Sequence, residues 1–239
     1  MLLLNTLEGL SMPVESLPFR SKSTGTLLLL LVSMVQGENK TSSVNVKVWN
    51  ISYHSPTGHM LNWAIKSSQD MNHLISELST YVNKFYAQGR GFNKRIIRCH
   101  TSSLSRPKNE EQAQNIESEV LLTLAHTLLQ AWVDALHHLW AEMADKLGCT
   151  PPILTKALEI KTINRNLLES MKKIACKAKF ALGGNVNAPL WSELERLQSP
   201  YRDTRYFAFY NLFRCLESDS NDVEMYLKLL KCRMLKSRC

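Results

Sequence analysis

The amino-acid sequence predicts an all-α protein built as a bundle of four helices. Four segments carry apolar side chains at alternating spacings of three and four residues, the pattern of a helix with one buried face. No segment of consequence shows the strict alternation of a half-buried strand. The connections between the four segments are long, short and long, which favours an up-up-down-down bundle with two long crossover connections. On these lengths alone, a helical bundle of another topology is the alternative.

The first helix is predicted to begin near Leu61 and to end before Gly89-Arg90-Gly91. Its apolar stripe consists of positions 61, 64, 68, 71, 75, 78, 82 and 85. Two glycines within three residues make a continuing helix costly and permit positive φ angles. A connection of about 20 residues then leads to the next helix, long enough to cross the bundle.

The second helix is predicted as one continuous segment from about Glu110 to Lys146. Two apolar stripes run along it, one of Leu121, Ala125, Leu128, Trp132, Ala135 and Leu139, the other of Leu122, Leu129, Leu136 and Met143. Such a wide apolar face predicts a central, heavily buried helix. Gly148 ends this helix, and Thr150-Pro151 supplies an N-cap and a first-turn proline for the third.

The third and fourth helices are predicted from the same periodicity. The core face of the third consists of Ile160, Ile163, Leu167, Met171 and Ile174. After a connection of about 25 residues, the fourth runs from about Asp203 to Met234. Its three-four alternation continues in phase through the polar run from Ser218 to Asp222, where a loop would have reset it.

The first 37 residues have the layout of a secretory signal peptide. Arg20 and Lys22 precede an apolar run from Leu27 to Val35, and a small residue, Gly37, follows. The run is about nine residues, whereas a helix needs about 20 to cross a bilayer. We therefore predict a signal peptide at 1–37, a flexible arm at 38–57 and one domain at 58–239. Initiation at Met12 is the alternative start. The protein is expected to be secreted and extracellular, without membrane insertion.

Because the protein is expected to be secreted, its sequons can carry glycans and its cysteines can form disulfides. Asn39-Lys40-Thr41 and Asn50-Ile51-Ser52 are glycosylation sequons, so Asn39 and Asn50 are predicted glycan sites. The six cysteines, at positions 99, 149, 176, 215, 232 and 239, all follow the signal peptide. An even count in an exported protein favours disulfides over metal binding, and six cysteines allow 15 pairings.

No motif predicts catalysis, a metal site or a cofactor. Gly183-Gly184 followed by Asn185 is a loop signal and not a phosphate-binding motif. His138 and Glu142 can share one helix face, but no third ligand is in register with them. We therefore predict that the protein is not an enzyme. The net charge of +8 is consistent with a polyanionic partner, but secretion argues against nucleic acid.

A cationic stripe on the third helix is the candidate site for such a partner. Its four residues fall within about 40° of one another around the helix: Lys161, Arg165, Lys172 and Lys179. With the basic residues between Lys228 and Arg238, they could hold heparan sulfate, a sulfated glycosaminoglycan, through charge-assisted contacts. The alternative interpretation is a solvated helix face and a basic tail.

Three contiguous motifs are distinctive: Tyr86-Ala87-Gln88-Gly89-Arg90-Gly91-Phe92, then Cys99-His100-Thr101-Ser102-Ser103-Leu104, and Tyr226-Leu227-Lys228-Leu229-Leu230-Lys231-Cys232-Arg233. They resemble the prolactin and growth hormone (somatotropin) family, most closely its placental prolactin-related members. The resemblance spans about Leu61 to Cys239. It implies a long-chain cytokine bundle and a secreted hormone or cytokine that acts by binding a cell-surface receptor.

The resemblance also implies two disulfides, Cys99 to Cys215 and Cys232 to Cys239. No cysteine precedes Cys99, so the N-terminal disulfide loop of prolactin itself has no counterpart. Cys149 and Cys176 are additional. A continuous third helix would separate them by about 36 Å, far beyond the 4.4–6.8 Å typical of disulfide Cα atoms. We expect these two to be unpaired or intermolecular, in a monomer or a disulfide-linked dimer.

In prolactin-type hormones the exposed face of the last helix presents basic residues and a histidine to the receptor. Tyr226-Leu227-Lys228 fixes the register, and the receptor-face candidates are Glu217, Asn221, Glu224, Tyr226 and Lys228. Most of the expected basic residues are replaced by acidic or uncharged ones. In the first helix, Gln69 and Asn72 stand where prolactin has a histidine pair. The resemblance therefore implies weak or no activity at the ordinary prolactin receptor.

Overall fold

The structure is a computed structural model that describes residues 57–182 and 187–235. The predicted signal peptide at 1–37, nearly all of the arm at 38–57 and both sequons lie outside the described residues. So do Cys239 and the loop signal Gly183-Gly184-Asn185. Their assignments therefore stay predictions.

The described residues form seven α-helices and no strand, which confirms the all-α fold. The helices are α1 (Thr57–Val82), α2 (Glu110–Ala113), α3 (Ser118–Ala131), α4 (Val133–Leu147), α5 (Pro151–Ala178), α6 (Leu194–Leu197) and α7 (Arg202–Met234). The four long members of the bundle are α1, the pair α3 and α4, α5, and α7. The helices α2 and α6 are single turns within the two crossovers.

The long helices pack pairwise around one apolar core. Helix α1 lies between α5 and α7, α3 also contacts both α5 and α7, and α4 packs on α5. Only residues 148–150 join α4 to α5, so these two are antiparallel neighbours. The long connections before α3 and before α7 carry the chain back across the bundle, as the up-up-down-down topology requires.

The predicted apolar stripe of the first helix is buried from Leu61 to Val82, but its last member, Phe85, is 59% exposed. Helix α1 ends at Val82 and continues as a π-helical turn over Asn83–Ala87. A π turn holds more residues than an α turn, so it shifts the phase of the stripe and turns Phe85 outward. The chain then leaves the helix through Gly89 and Gly91, at φ angles of 77° and 67°.

The prediction of one continuous second helix was wrong. After the separate turn α2, the helix is interrupted at Trp132, where φ is −89° and ψ is −7°. Two distant side chains act at this point. The Asn164 side-chain amide donates to the Leu129 carbonyl at 3.1 Å, and the Trp132 indole N–H donates to Asp219 at 2.8 Å. Both apolar stripes remain buried across the break, because the helix axis continues after one irregular residue.

Helix α7 agrees closely with its predicted bounds, and α5 begins at the predicted first-turn proline, Pro151. Helix α5 is continuous over 28 residues and α7 over 33. Cys149 immediately precedes α5 and Cys176 lies in its last turn, and neither forms a disulfide within the described part of the chain. A continuous helix keeps them apart, since each residue adds about 1.5 Å along the axis.

One disulfide joins the first crossover to the middle of α7. Cys99 and Cys215 are 116 residues apart in the chain, and their Cα atoms lie 5.4 Å apart. This is the large-loop bridge that the resemblance implied. The pairing of Cys232 with Cys239 stays a prediction, because Cys239 lies outside the described residues.

Candidate functional site

A buried carboxylate on α7 binds residues of the first crossover and of the second long helix. Asp219 is 1% exposed and accepts hydrogen bonds from the Thr101 hydroxyl at 2.7 Å, the Arg106 guanidinium at 2.6 Å and the Trp132 indole at 2.8 Å. Arg106 also lies 3.1 Å from Asp222. A buried charge is tolerated only when it is paired and hydrogen-bonded, and this one is both. The first crossover is thereby fixed against α7.

The exposed edge where α1 meets α7 carries a polar cluster that we call the α1–α7 seam, formed by Gln69, Asn72, Glu224 and Lys228. The Glu224 carboxylate accepts from the Asn72 amide at 2.5 Å and from the Gln69 amide at 3.3 Å. The Lys228 ammonium lies 2.7 Å from Glu224, one helical turn further along α7. The two amides at the positions of prolactin's histidine pair thus contact one of the receptor-face candidates.

The electrostatics of the seam favour an ionised Glu224. Burial opposes ionisation, but hydrogen bonds from Lys228, Gln69 and Asn72 outweigh it and hold the pKa of Glu224 below its ordinary value. One carboxylate and one ammonium leave the seam without net charge. The nearest imidazole in sequence, His73, lies on the next position of α1, where its Nε2 is 3.8 Å from Glu77.

The receptor-face candidates divide into three groups. Asn221 and Lys228 are exposed, as predicted. Glu217 and Glu224 are half-buried, and Glu217 lies 3.3 Å from Arg214. Tyr226 was predicted on this face, and that was wrong, because its side chain is completely buried. It lies seven residues after Asp219, so the helical repeat returns it to the buried stripe.

The cationic stripe on α5 is only partly available. Arg165, Lys172 and Lys179 are exposed, but Lys172 pairs with Glu169 at 2.8 Å. Lys161 is half-buried, with its Nζ 3.2 Å from the His137 ring nitrogen Nδ1. Lys161, Arg165 and Lys172 lie on α5 over 11 positions, about 17 Å, and their helical spacing places them on one face. Lys179 is the C-cap residue, with a φ angle of 58°, so the predicted stripe does not continue to it along a regular helix.

The His138 and Glu142 pair does not assemble a metal centre in the structure. The His138 ring stacks on Trp191, with ring centroids 6.1 Å apart, and Glu142 accepts a hydrogen bond from Gln198 at 2.7 Å. In the part of the chain that the structure describes, no three His, Cys, Asp or Glu side chains are grouped so that they could hold a metal ion.

Sequence reasoning missed two features of this surface. The first is the set of buried hydrogen bonds to Asp219, a residue that the sequence showed only as part of the polar run from Ser218 to Asp222. The second is a set of arginines stacked on aromatic rings at the start of α7. The motif residues Arg90 and Phe92 both belong to it, but their partners lie more than 100 residues later in the chain, at Tyr206 and Phe207. No local spacing rule connects segments that far apart.

Comparison with known proteins agrees with the fold and the disulfide. The model of the somatotropin hormone family matches residues 29–239. Prolactin-4A1 of Mus musculus is 62% identical over 218 residues, which cover 91% of this chain and 96% of that protein. The family consists of secreted hormones and cytokines that bind cell-surface receptors and are not enzymes. None of the described helices is long and apolar enough to cross a membrane. The chain therefore belongs to the somatotropin hormone family.

Proposed function

We propose that this chain is a secreted, glycosylated hormone or cytokine of the placental prolactin-related kind, acting through a cell-surface receptor other than the ordinary prolactin receptor. Its family supports the hormone role. The exposed surface of α1 and α7 is the proposed receptor face, and its activity at the prolactin receptor is weak or absent.

The observation that supports this proposal is the composition of the α1–α7 seam. Gln69 and Asn72 replace a histidine pair, and amide side chains do not substitute for imidazole as zinc ligands. Their hydrogen bonds to Glu224 occupy both amides within the molecule. A partner shaped for basic residues and imidazoles would instead meet a neutral cluster. Losing partners of interfacial charge pairs typically costs about 2 to 5 kcal/mol each.

The direct test is surface plasmon resonance against the purified ectodomain of the prolactin receptor, with a cell reporter alongside. We expect binding weaker than that of prolactin by orders of magnitude and little activation. Nanomolar binding with full activation would refute the proposal. The receptor itself can be sought by affinity capture of surface proteins with the glycosylated hormone.

A pair of charge reversals tests the receptor face once a responding cell is identified. Lys228→Glu places a second carboxylate beside Glu224 on the exposed seam, so we expect it to abolish the response. Lys108→Glu makes the same charge change at an exposed position of the first crossover, and we expect it to leave the response intact. Equal effects of the two variants would contradict the assignment of the face.

Binding to heparan sulfate is the second candidate function. It is supported by a net charge of +8 and by three exposed cations on α5, Arg165, Lys172 and Lys179. Retention on heparin above about 0.5 M salt would favour it, because nonspecific attraction is largely screened there.

A further inference from the structure

Six basic residues lie on two chain segments that contact each other: the crossover that follows the π turn, and the beginning of α7. We call this group the arginine cluster, and it consists of Arg90, Lys94, Arg95, Arg98, Arg202 and Arg205. The Arg95 side chain lies 2.5 Å from Asp203, and the Arg98 backbone N–H donates to Asn211, which brings both segments together. Along α7 these contacts extend from Asp203 to Asn211, about 12 Å.

Three of these guanidinium groups are held by aromatic rings. Arg95 lies 4.8 Å from the Phe92 ring centroid and 5.0 Å from that of Phe207. Arg90 and Arg205 lie 5.0 and 5.6 Å from the Tyr206 ring centroid. Stacking orients a planar guanidinium before any ligand arrives, so less side-chain freedom is lost on binding.

The cluster carries a large surplus of positive charge. Asp203 contacts two of its members, Arg95 and Arg90, at 2.5 and 3.9 Å, and the Arg205 guanidinium donates to the Ser199 carbonyl at 2.6 Å. Among the described residues, Asp203 is the one carboxylate in an ion pair with a member of the cluster. Glu193, on the adjoining segment before α6, is paired with Arg196 at 2.9 Å. The Arg90 and Arg95 side chains remain 36% and 43% exposed despite their stacking. The surface thus presents oriented, solvent-accessible guanidinium groups with little internal neutralisation.

We propose that the arginine cluster binds a sulfated glycosaminoglycan chain. A guanidinium fork matches the oxygens of tetrahedral and planar anions in a bidentate manner, and several forks in a row suit a repeating polyanion. The α5 stripe is the weaker candidate, because its cations are spread along the helix, whereas aromatic rings orient three arginines of the cluster. This inference takes its class of ligand from the second candidate function, binding to heparan sulfate. It does not depend on the proposed receptor.

A protein partner is the competing occupant, since Ile96 and Tyr201 are 74% and 75% exposed beside the cluster and could serve as apolar anchors. The charge surplus favours the polyanion, because the aromatic rings within the cluster are already covered by its own guanidinium groups. Binding of a polyanion should weaken when charge is removed from the cluster. Binding of a protein should weaken when the apolar anchors Ile96 and Tyr201 are removed.

The test compares two triple variants with the same loss of charge. The cluster variant is Lys94→Gln, Arg98→Gln and Arg202→Gln, three exposed residues outside the aromatic stacks. The stripe variant on α5 is Arg165→Gln, Lys172→Gln and Lys179→Gln. Affinity is measured on immobilised heparin by surface plasmon resonance, and elution is compared between a heparin column and a sulfopropyl cation exchanger. Circular dichroism and thermal melting confirm that both variants fold.

Wild-type protein should elute from heparin above about 0.5 M NaCl, where the Debye length is about 4 Å, and later than from the cation exchanger. The cluster variant should bind heparin about tenfold or more weakly, and the stripe variant within about twofold of wild type.

If wild-type protein elutes at the same salt concentration from heparin and from the cation exchanger, both this inference and the proposed binding to heparan sulfate are wrong. An equal or larger loss in the stripe variant would overturn the inference alone. If Ile96→Ser with Tyr201→Ser abolishes cell binding while the cluster variant keeps wild-type heparin affinity, the surface anchors a protein and the proposal is wrong.

Discussion

Replacing Asp219 with alanine should cost about 2–6 kcal/mol of unfolding free energy, because two buried donors lose their acceptor. The structure supports this magnitude. The Thr101 hydroxyl and the Trp132 indole would each lose their buried acceptor, at about 1–3 kcal/mol per group. Arg106 would keep Asp222 as a partner, so its charge would not be left unpaired.

The measurement is urea unfolding followed by far-UV circular dichroism, with the disulfides intact. Asp203→Ala is the matched control, because it removes an aspartate that is half exposed while paired with Arg95, and we expect it to cost about 1 kcal/mol or less. Asp219→Asn should fall between the two, since its amide oxygen still accepts hydrogen bonds. The structural role of Asp219 would be refuted if Asp219→Ala lowered the free energy of unfolding by less than about 1 kcal/mol, or by the same amount as Asp203→Ala.

Three further outcomes follow from named contacts. Because the folded-state pKa of Glu224 lies below its ordinary value, its ionised form stabilises the fold above about pH 4.5 and this contribution disappears as the pH falls through the folded pKa. The urea midpoint of wild type should therefore fall more steeply on acidification than that of Glu224→Gln; parallel curves would contradict this. Cys99→Ser with Cys215→Ser should destabilise by about 4–5 kcal/mol, since the bridge closes a loop of 116 residues, and an unchanged urea midpoint would exclude the entropic account. Burial raises the pKa of the Cys149 thiol, so iodoacetamide should label exposed Cys176 in the native protein and Cys149 only after unfolding. A non-reducing peptide map that shows a bridge between Cys149 and Cys176 would contradict the continuous α5.

The helices themselves were predictable because their apolar spacing is a local property. The bounds of α7 followed from that spacing within about two residues, and the polar run at Ser218 to Asp222 proved to be helical. The large disulfide followed only from the family resemblance, because six cysteines leave 15 pairings open. Local periodicity identifies the buried side of a helix, and so it also predicted both stripes that flank Trp132.

One error occurred where distant residues decide local structure, and the other two where the regular helical repeat was interrupted or was not applied. Trp132 interrupts the second helix at a point where Asn164 and Asp219 supply hydrogen bonds, and neither lies within 30 residues of it. Phe85 turns outward because a π turn changes the phase, which an ideal helical repeat does not anticipate. Tyr226 was assigned to the receptor face by family register, although the helical repeat places it on the buried stripe with Asp219.

The sequence by itself determined the fold class, the four amphipathic segments and the family, because these depend on periodicity and on contiguous motifs. Only the tertiary structure decided which exposed groups act together. Glu224 meets Gln69 and Asn72 across more than 150 residues of chain, and Arg95 lies on Phe207 across more than 110. Such contacts arise from the way α1 and the first crossover pack against α7. Spacing along a single helix carries no information about the distance to its neighbour.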